Sequence, residues 1–168
     1  MKKKLVLLIL LFTTFSCYWV WRTEIVAPLP IIQSKTFIIT PGMSLNRIAN
    51  ELKAQGFIRH SKIFSLWVRI NGKAQRVQAG EYVISPDLTL ASLVEQFVQG
   101  KVKQHSFTLI DGWTFYQVMQ ALNNTPHLRH QLSGLTPGAV MIKLGLAGQY
   151  PEGWFYPETY YFVHGDSD

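Results

Sequence analysis

The sequence predicts an α+β chain with a transmembrane helix at its N-terminus, and three observations carry that prediction. Leu5 to Trp21 is a run of 17 residues without a charge, a proline or a glycine. Three later stretches repeat one pattern, a short β-prone run, a turn and an amphipathic helix. At 168 residues the chain holds one ordinary domain or two small ones and can bury a real core.

The apolar run comes first. Its length approaches what about 30 Å of hydrocarbon requires at 1.5 Å per helical residue, and Tyr18, Trp19 and Trp21 suit an interfacial belt. Lys2, Lys3 and Lys4 precede it, which places residues 1–4 as a cytoplasmic tail, 5–21 as the span and the remainder on the outer, periplasmic side of a bacterial inner membrane. Two alternatives stay open: a cleaved signal peptide, which lacks a convincing small-x-small site after Trp21, and a lipoprotein site at Cys17, which lacks small residues before it. Residues 22–35, with Pro28 and Pro30, read as an extended stalk, since neither proline continues a helix.

Beyond the stalk FIITPGMSLNRIANEL (Phe37 to Leu52), YVISPDLTLASLVEQF (Tyr82 to Phe97) and FTLIDGWTFYQVMQAL (Phe107 to Leu122) align without a gap. Ser44, Thr89 and Thr114 fall in one column and suit helix N-caps, because a hydroxyl oxygen accepts from free N–H groups of the first turn. After each cap the apolar residues follow at i, i+3, i+4 and i+7: Leu45, Ile48, Ala49, Leu52; Leu90, Leu93, Val94, Phe97; Phe115, Val118, Met119, Leu122. Gly56 and Gly100 stop the first two helices. The spacings of 45 and 25 residues rule out a regular solenoid. Ile63 to Ile70 adds a helix with Ser61 as its expected cap and Asn71-Gly72 as its end.

From Asn123 the pattern loosens. Thr125-Pro126 ends the third helix, His127 to Leu132 can form another helical turn, and Thr136-Pro137-Gly138 caps a segment through Val140, Met141 and Leu144. His127 and His130 could share a helical face, but with no third ligand in view they read as an exposed polar turn rather than a metal site. The net charge of +6 owes four charges to Lys2, Lys3, Lys4 and Arg22, and no basic run follows, which argues against nucleic acid. Cys17 is the sole cysteine, so an intrachain disulfide or a cysteine metal site is excluded.

The last stretch, PEGWFYPETYYF from Pro151 to Phe162, sets Trp154, Phe155, Tyr156, Tyr160, Tyr161 and Phe162 around Glu152 and Glu158, with Gly153 and Pro157 fixing the backbone. Aromatic faces beside carboxylates suit a sugar cleft, where rings stack and carboxylates grip hydroxyls or move protons. An aromatic-rich core strand and turn would produce the same composition.

Ile39 to Leu52 resembles the opening of a LysM module, a βααβ unit associated with N-acetylglucosamine-containing wall glycans. The ordered set of an apolar N-terminus, this unit, AGEYVISPDLTLASLVEQFVQGK, FTLIDGWTFYQVMQAL and EGWFYPETYYFVHG resembles the N-terminal half of the endolytic murein transglycosylases, the YceG-like family. That resemblance implies a lytic transglycosylase that cuts nascent peptidoglycan strands and leaves 1,6-anhydro-N-acetylmuramic acid ends. The implied partners are peptidoglycan glycan strands, the cytoplasmic membrane and wall-synthesis enzymes; no cofactor is implied. It divides the chain into a LysM-like subdomain over residues 36–101 and the first part of a transglycosylase domain over 102–168.

The family's catalytic glutamate belongs to an I-I-E-x-E type segment that these residues do not contain, so the resemblance carries no catalytic acid into the chain, which reads as truncated at Asp168. What it carries over is a substrate-lining set: Glu152, Gly153, Trp154, Phe155, Pro157, Glu158, Thr159 and Tyr160. Three readings stay open: a transglycosylase portion inactive alone, a membrane-anchored wall-binding module without chemistry, and an enzyme in which Glu152 or Glu158 stands in as the acid.

Overall fold

The computed structural model describes residues 2–168; for residues 2–8, 17 and 20 the side chains lie outside the description. The lipoprotein alternative at Cys17 turns on a side chain outside the description, and of the tail assigned to residues 1–4 the described residues 2–4 are helical. The chain is a mixed helix and strand protein that divides into two compact units, Met1–Val102 and Lys103–Asp168.

The apolar run forms α1 (Lys2–Val20), which passes into a π-helical turn, Trp21–Val26. Among the described residues no helix is long and apolar enough to cross a membrane. The expected N-terminal transmembrane helix is therefore corrected, and with it the single-pass inner-membrane localisation. The reason is geometric. Once its three lysines are set aside, α1 offers the stretch from Leu5 to Val20, about 24 Å at 1.5 Å per residue against the roughly 30 Å required. The hydroxyls of Thr13 and Thr14 fall within that stretch and donate back to the Leu10 carbonyl. Past it, Ile25 is buried in the core of the first unit, and the Leu29 N–H donates to the Leu88 carbonyl at 2.8 Å.

The first unit continues as β1 (Lys35–Ile39), α2 (Leu45–Ala54), α3 (Ser61–Ile70), β2 (Gly80–Ile84) and α4 (Leu90–Gln99). β1 and β2 pair antiparallel with Phe37 opposite Tyr82, so the opening aromatics of the first two repeats face each other across one ribbon. Phe37, Ile39, Tyr82 and Ile84 point inward as strand alternation requires. The helices cover that face with Ile48, Ala49 and Leu52 from α2, Phe64 and Val68 from α3, and Leu93, Val94 and Phe97 from α4. Phe97 stacks edge-on to Tyr82 at 4.7 Å between centroids and tilts against Phe37 at 6.2 Å.

The caps follow the hydroxyl column. Ser44 accepts from the Arg47 N–H, and Thr89 forms a reciprocal box with Ser92. At α3 the N-cap is His60, without a side-chain bond, and Ser61 is the first helical residue. Gly80 is obligatory on two grounds: its φ is +148°, and a Cβ there would collide with the Val102 side chain.

The second unit is β3 (Gln104–Thr108), α5 (Phe115–Asn124), α6 (Pro137–Lys143) and β4 (Thr159–Val163), with β3 and β4 antiparallel. Thr114 caps α5 in a box with Gln117, and Thr136 caps α6. The core is small: Phe115, Leu132 and Val140, with Met119 and Phe155 packed against it. His127 to Leu132 is not helical. It lies beside the C-terminal segment, where the Gly165 N–H donates to the His127 carbonyl and the Arg129 N–H to the Asp166 carbonyl, each at 2.8 Å.

Tyr82 generates a stability prediction. Its ring is fully buried, its hydroxyl donates to the Gln78 carbonyl at 2.8 Å, and burial raises its pKa above the usual phenol value. The folded chain thus keeps this proton to higher pH than the unfolded chain. The associated stability is intact below about pH 10 and is lost as pH rises from there through the folded pKa. Tyr82→Phe should cost about 1 kcal/mol near neutral pH and flatten that alkaline loss, measured by urea unfolding at both pH values. An alkaline slope unchanged by the substitution would refute the assignment.

Candidate functional site

The aromatic stretch and β3 border an open cavity in the second unit, about 500 Å³ in volume. The ribbon sets its walls. Tyr160 stands opposite Phe107, and the register is pinned at one end by the Thr108 and Thr159 hydroxyls, 3.0 Å apart. Phe107 contributes from β3 and Leu109 from just past its end, Val118 and Leu122 from α5, and Trp154, Tyr160 and Tyr161 from the C-terminal stretch. Trp154 and Tyr160 are a little under half exposed, while Tyr161 is largely open to solvent. Rings that are partly exposed beside a concavity can stack on a ligand, whereas fully buried rings cannot.

The residues of the EGWFYPETY motif divide by role. Glu152 turns inward to α5: its Oε2 accepts from the Phe115 N–H at 2.9 Å, capping a helix N-terminus whose first turn already carries the Thr114–Gln117 box. Gly153 has a φ of +85°, a left-handed turn that glycine takes without strain. Phe155 joins the core, its ring 5.8 Å from Phe115, and also borders the cavity. Pro157 and Glu158 are exposed, and the Glu158 carbonyl accepts from the Leu109 N–H at 2.9 Å to close the ribbon end. The Tyr160 hydroxyl donates to the Tyr156 carbonyl at 3.0 Å, which orients its ring. Of the residues expected to line a substrate, Trp154, Phe155 and Tyr160 reach the cavity, whereas Glu152, Gly153, Pro157, Glu158 and Thr159 are exposed and do not line it.

Sequence reasoning missed two cavity carboxylates, Asp166 and Asp168. Asp166 Oδ2 accepts from the Val163 N–H at 2.8 Å. The Asp168 side chain is fully buried; its Oδ1 accepts from Gln131 and Leu132, at 2.8 and 3.2 Å, and its Oδ2 lies 3.7 Å from His130 Nδ1 without a hydrogen bond. Gly165-Asp166-Ser167-Asp168 carries a turn signal and nothing that distinguishes a cavity wall from a loop. The first unit has a separate groove of about 520 Å³ between α2 and α3, bordered by Asn46, Asn50, Lys62 and Arg69. It has no aromatic wall.

The Glu152 cap is testable. Glu152→Gln should lower the stability of the second unit by about 1 kcal/mol, visible in thermal unfolding, and leave carbohydrate binding by the folded protein unchanged. Lost binding with unaltered stability would make Glu152 a ligand-contacting residue instead.

No curated protein matches the sequence. The crystal structure of a yceG-like protein from Listeria monocytogenes is similar at 26% identity and a TM-score of 0.41, over 77% of this chain and 48% of that one. The chain thus spans about half the length of that solved protein. The YceG-like family matches residues 37–168, most of the chain, and the protein belongs to the YceG-like family.

Proposed function

We propose that this chain provides the glycan-holding part of an endolytic peptidoglycan lytic transglycosylase. The observation that carries the proposal is the cavity walled by Trp154, Tyr160 and Tyr161 within the family-matched segment. Its volume of about 500 Å³ lies in the range of small-ligand sites, and partly exposed rings suit the C–H faces of amino sugars. The LysM-like β1–α2–α3–β2 unit is a second candidate contact for the same strand.

The reaction asks for one acid. A carboxylic acid protonates the leaving glycosidic oxygen as the bond from the anomeric carbon breaks. The muramoyl 6-hydroxyl oxygen then bonds to that carbon and gives its proton to the resulting carboxylate, so no water is consumed. In this chain the contribution is binding and orientation: aromatic faces fix the ring plane, and Glu152 caps α5, which supplies Val118 and Leu122 to the same cavity. Asp166 and Asp168, the cavity carboxylates among the described residues, are both engaged by main-chain N–H groups. That engagement favours a second reading as well, a peptidoglycan-binding module without chemistry.

The two readings separate experimentally. The 168-residue chain should be retained on insoluble peptidoglycan, with Trp154→Ala weakening retention about fivefold, since an aromatic contact contributes about 1 kcal/mol. It should release no 1,6-anhydro-muropeptides by itself. A longer form carrying the family's glutamate segment should release them and lose that activity when Trp154 is removed. Retention indifferent to Trp154→Ala, with no release by the longer form, would sink both readings.

A further inference from the structure

We propose that His127 and His164 of the second unit form a binding site for a late first-row divalent metal ion such as Zn²⁺. The two residues lie 37 positions apart in sequence, and their Nδ1 atoms face each other at 3.3 Å. Two imidazole nitrogens on one tetrahedral zinc, each about 2.0–2.1 Å from the metal, stand about 3.3–3.4 Å apart, which is the separation observed. In the absence of metal the same spacing lets one Nδ1–H donate to the other ring's lone pair; to bind a metal ion through both Nδ1 atoms, that ring takes the tautomer with its proton on Nε2, which frees both Nδ1 lone pairs.

The backbone sets this pair in advance. The Gly165 N–H donates to the His127 carbonyl at 2.8 Å, tying the segments that carry the two rings. His127 has a φ of +70°, in the left-handed region that a non-glycine residue occupies at a cost, so the ring is held where a relaxed backbone would not place it. His105 stacks on His127 with centroids 4.2 Å apart and on Phe162 at 5.6 Å. The contact with His105 limits rotation of the His127 ring. His127 is open to solvent and His164 half-buried, so an ion can reach the pair. His130, the neighbour that sequence spacing paired with His127, is directed to Asp168 instead. Two imidazoles fill half of a tetrahedral shell and leave the rest for water or an exchangeable oxygen ligand, in keeping with a modest affinity. The choice among metals follows from imidazole as donor, which suits zinc, copper and nickel better than calcium or magnesium.

The test is a titration of the full chain with Zn²⁺ alone, in competition with a chromophoric chelator, paired with thermal unfolding with and without the ion. The expected result is one saturable ion per chain and an upward shift of Tm on addition of Zn²⁺. His127→Asn, which tolerates the left-handed backbone, and His164→Gln should each raise the apparent Kd at least about tenfold and abolish the Tm shift. His130→Gln should change neither. Circular dichroism of the metal-free variants separates loss of a ligand from loss of fold. Absence of saturable binding by the wild-type chain overturns the proposal, as does binding that survives both substitutions or falls equally with His130→Gln.

Discussion

A ribbon of two strands does not hold in water by itself, and both units of this protein are built on such a ribbon. Each therefore depends on helices laid over one face. In the first unit the cover is complete: Phe37 and Tyr82, directly opposite across the ribbon, are sealed by Phe97 from α4 and by Phe57 in the connection between α2 and α3. The second unit uses the same order of strand, two helices and strand, with far less buried. None of the residues of β3 or β4 is fully buried, and the core contracts to Phe115, Leu132 and Val140.

That difference in cover is what makes the second unit the functional candidate. Where α4 closes the first ribbon, the second ribbon leaves Phe107 and Tyr160 at the edge of a cavity, and Trp154 only partly buried. An aromatic side chain contributes about as much when stacked on a ligand as on a neighbour, so incomplete burial is stability withheld from folding and available to binding. Phe155 sits at the division between these uses, one face against Phe115 and another on the cavity.

The repeated helices were legible because three independent local signals agreed at each: a hydroxyl cap, an apolar stripe with the period of a helix, and a glycine or proline at the end. The pairing of strands was less so. Nothing local in TYYFV states that it joins β3, because its residues do not alternate between buried and exposed. The run from His127 to Leu132 misled for a related reason: its helical spacing was real, but hydrogen bonds to residues 165–168, far along the chain, decided its conformation. The N-terminal run misled on length. Hydropathy without charge looked sufficient, whereas the three lysines belong to the helix, and burial of Ile25 begins just past its end.

The carboxylates show most clearly where sequence adjacency fails. Glu152 beside Trp154 has the composition of an acid in an aromatic pocket, yet the helix that needs its oxygen begins 37 residues earlier, at Phe115. A free N–H at a helix terminus competes for any carboxylate within reach, and in a unit with so small a core the cap contributes more to folding than an unpaired acid would. Asp168 followed the same course, with one oxygen bound to two N–H groups of a loop that no spacing rule connects to it. In both cases the backbone's unsatisfied donors claimed the acidic group first. What remains open on this part of the chain is the set of surfaces that no backbone donor can use, the ring faces of Trp154, Tyr160 and Tyr161.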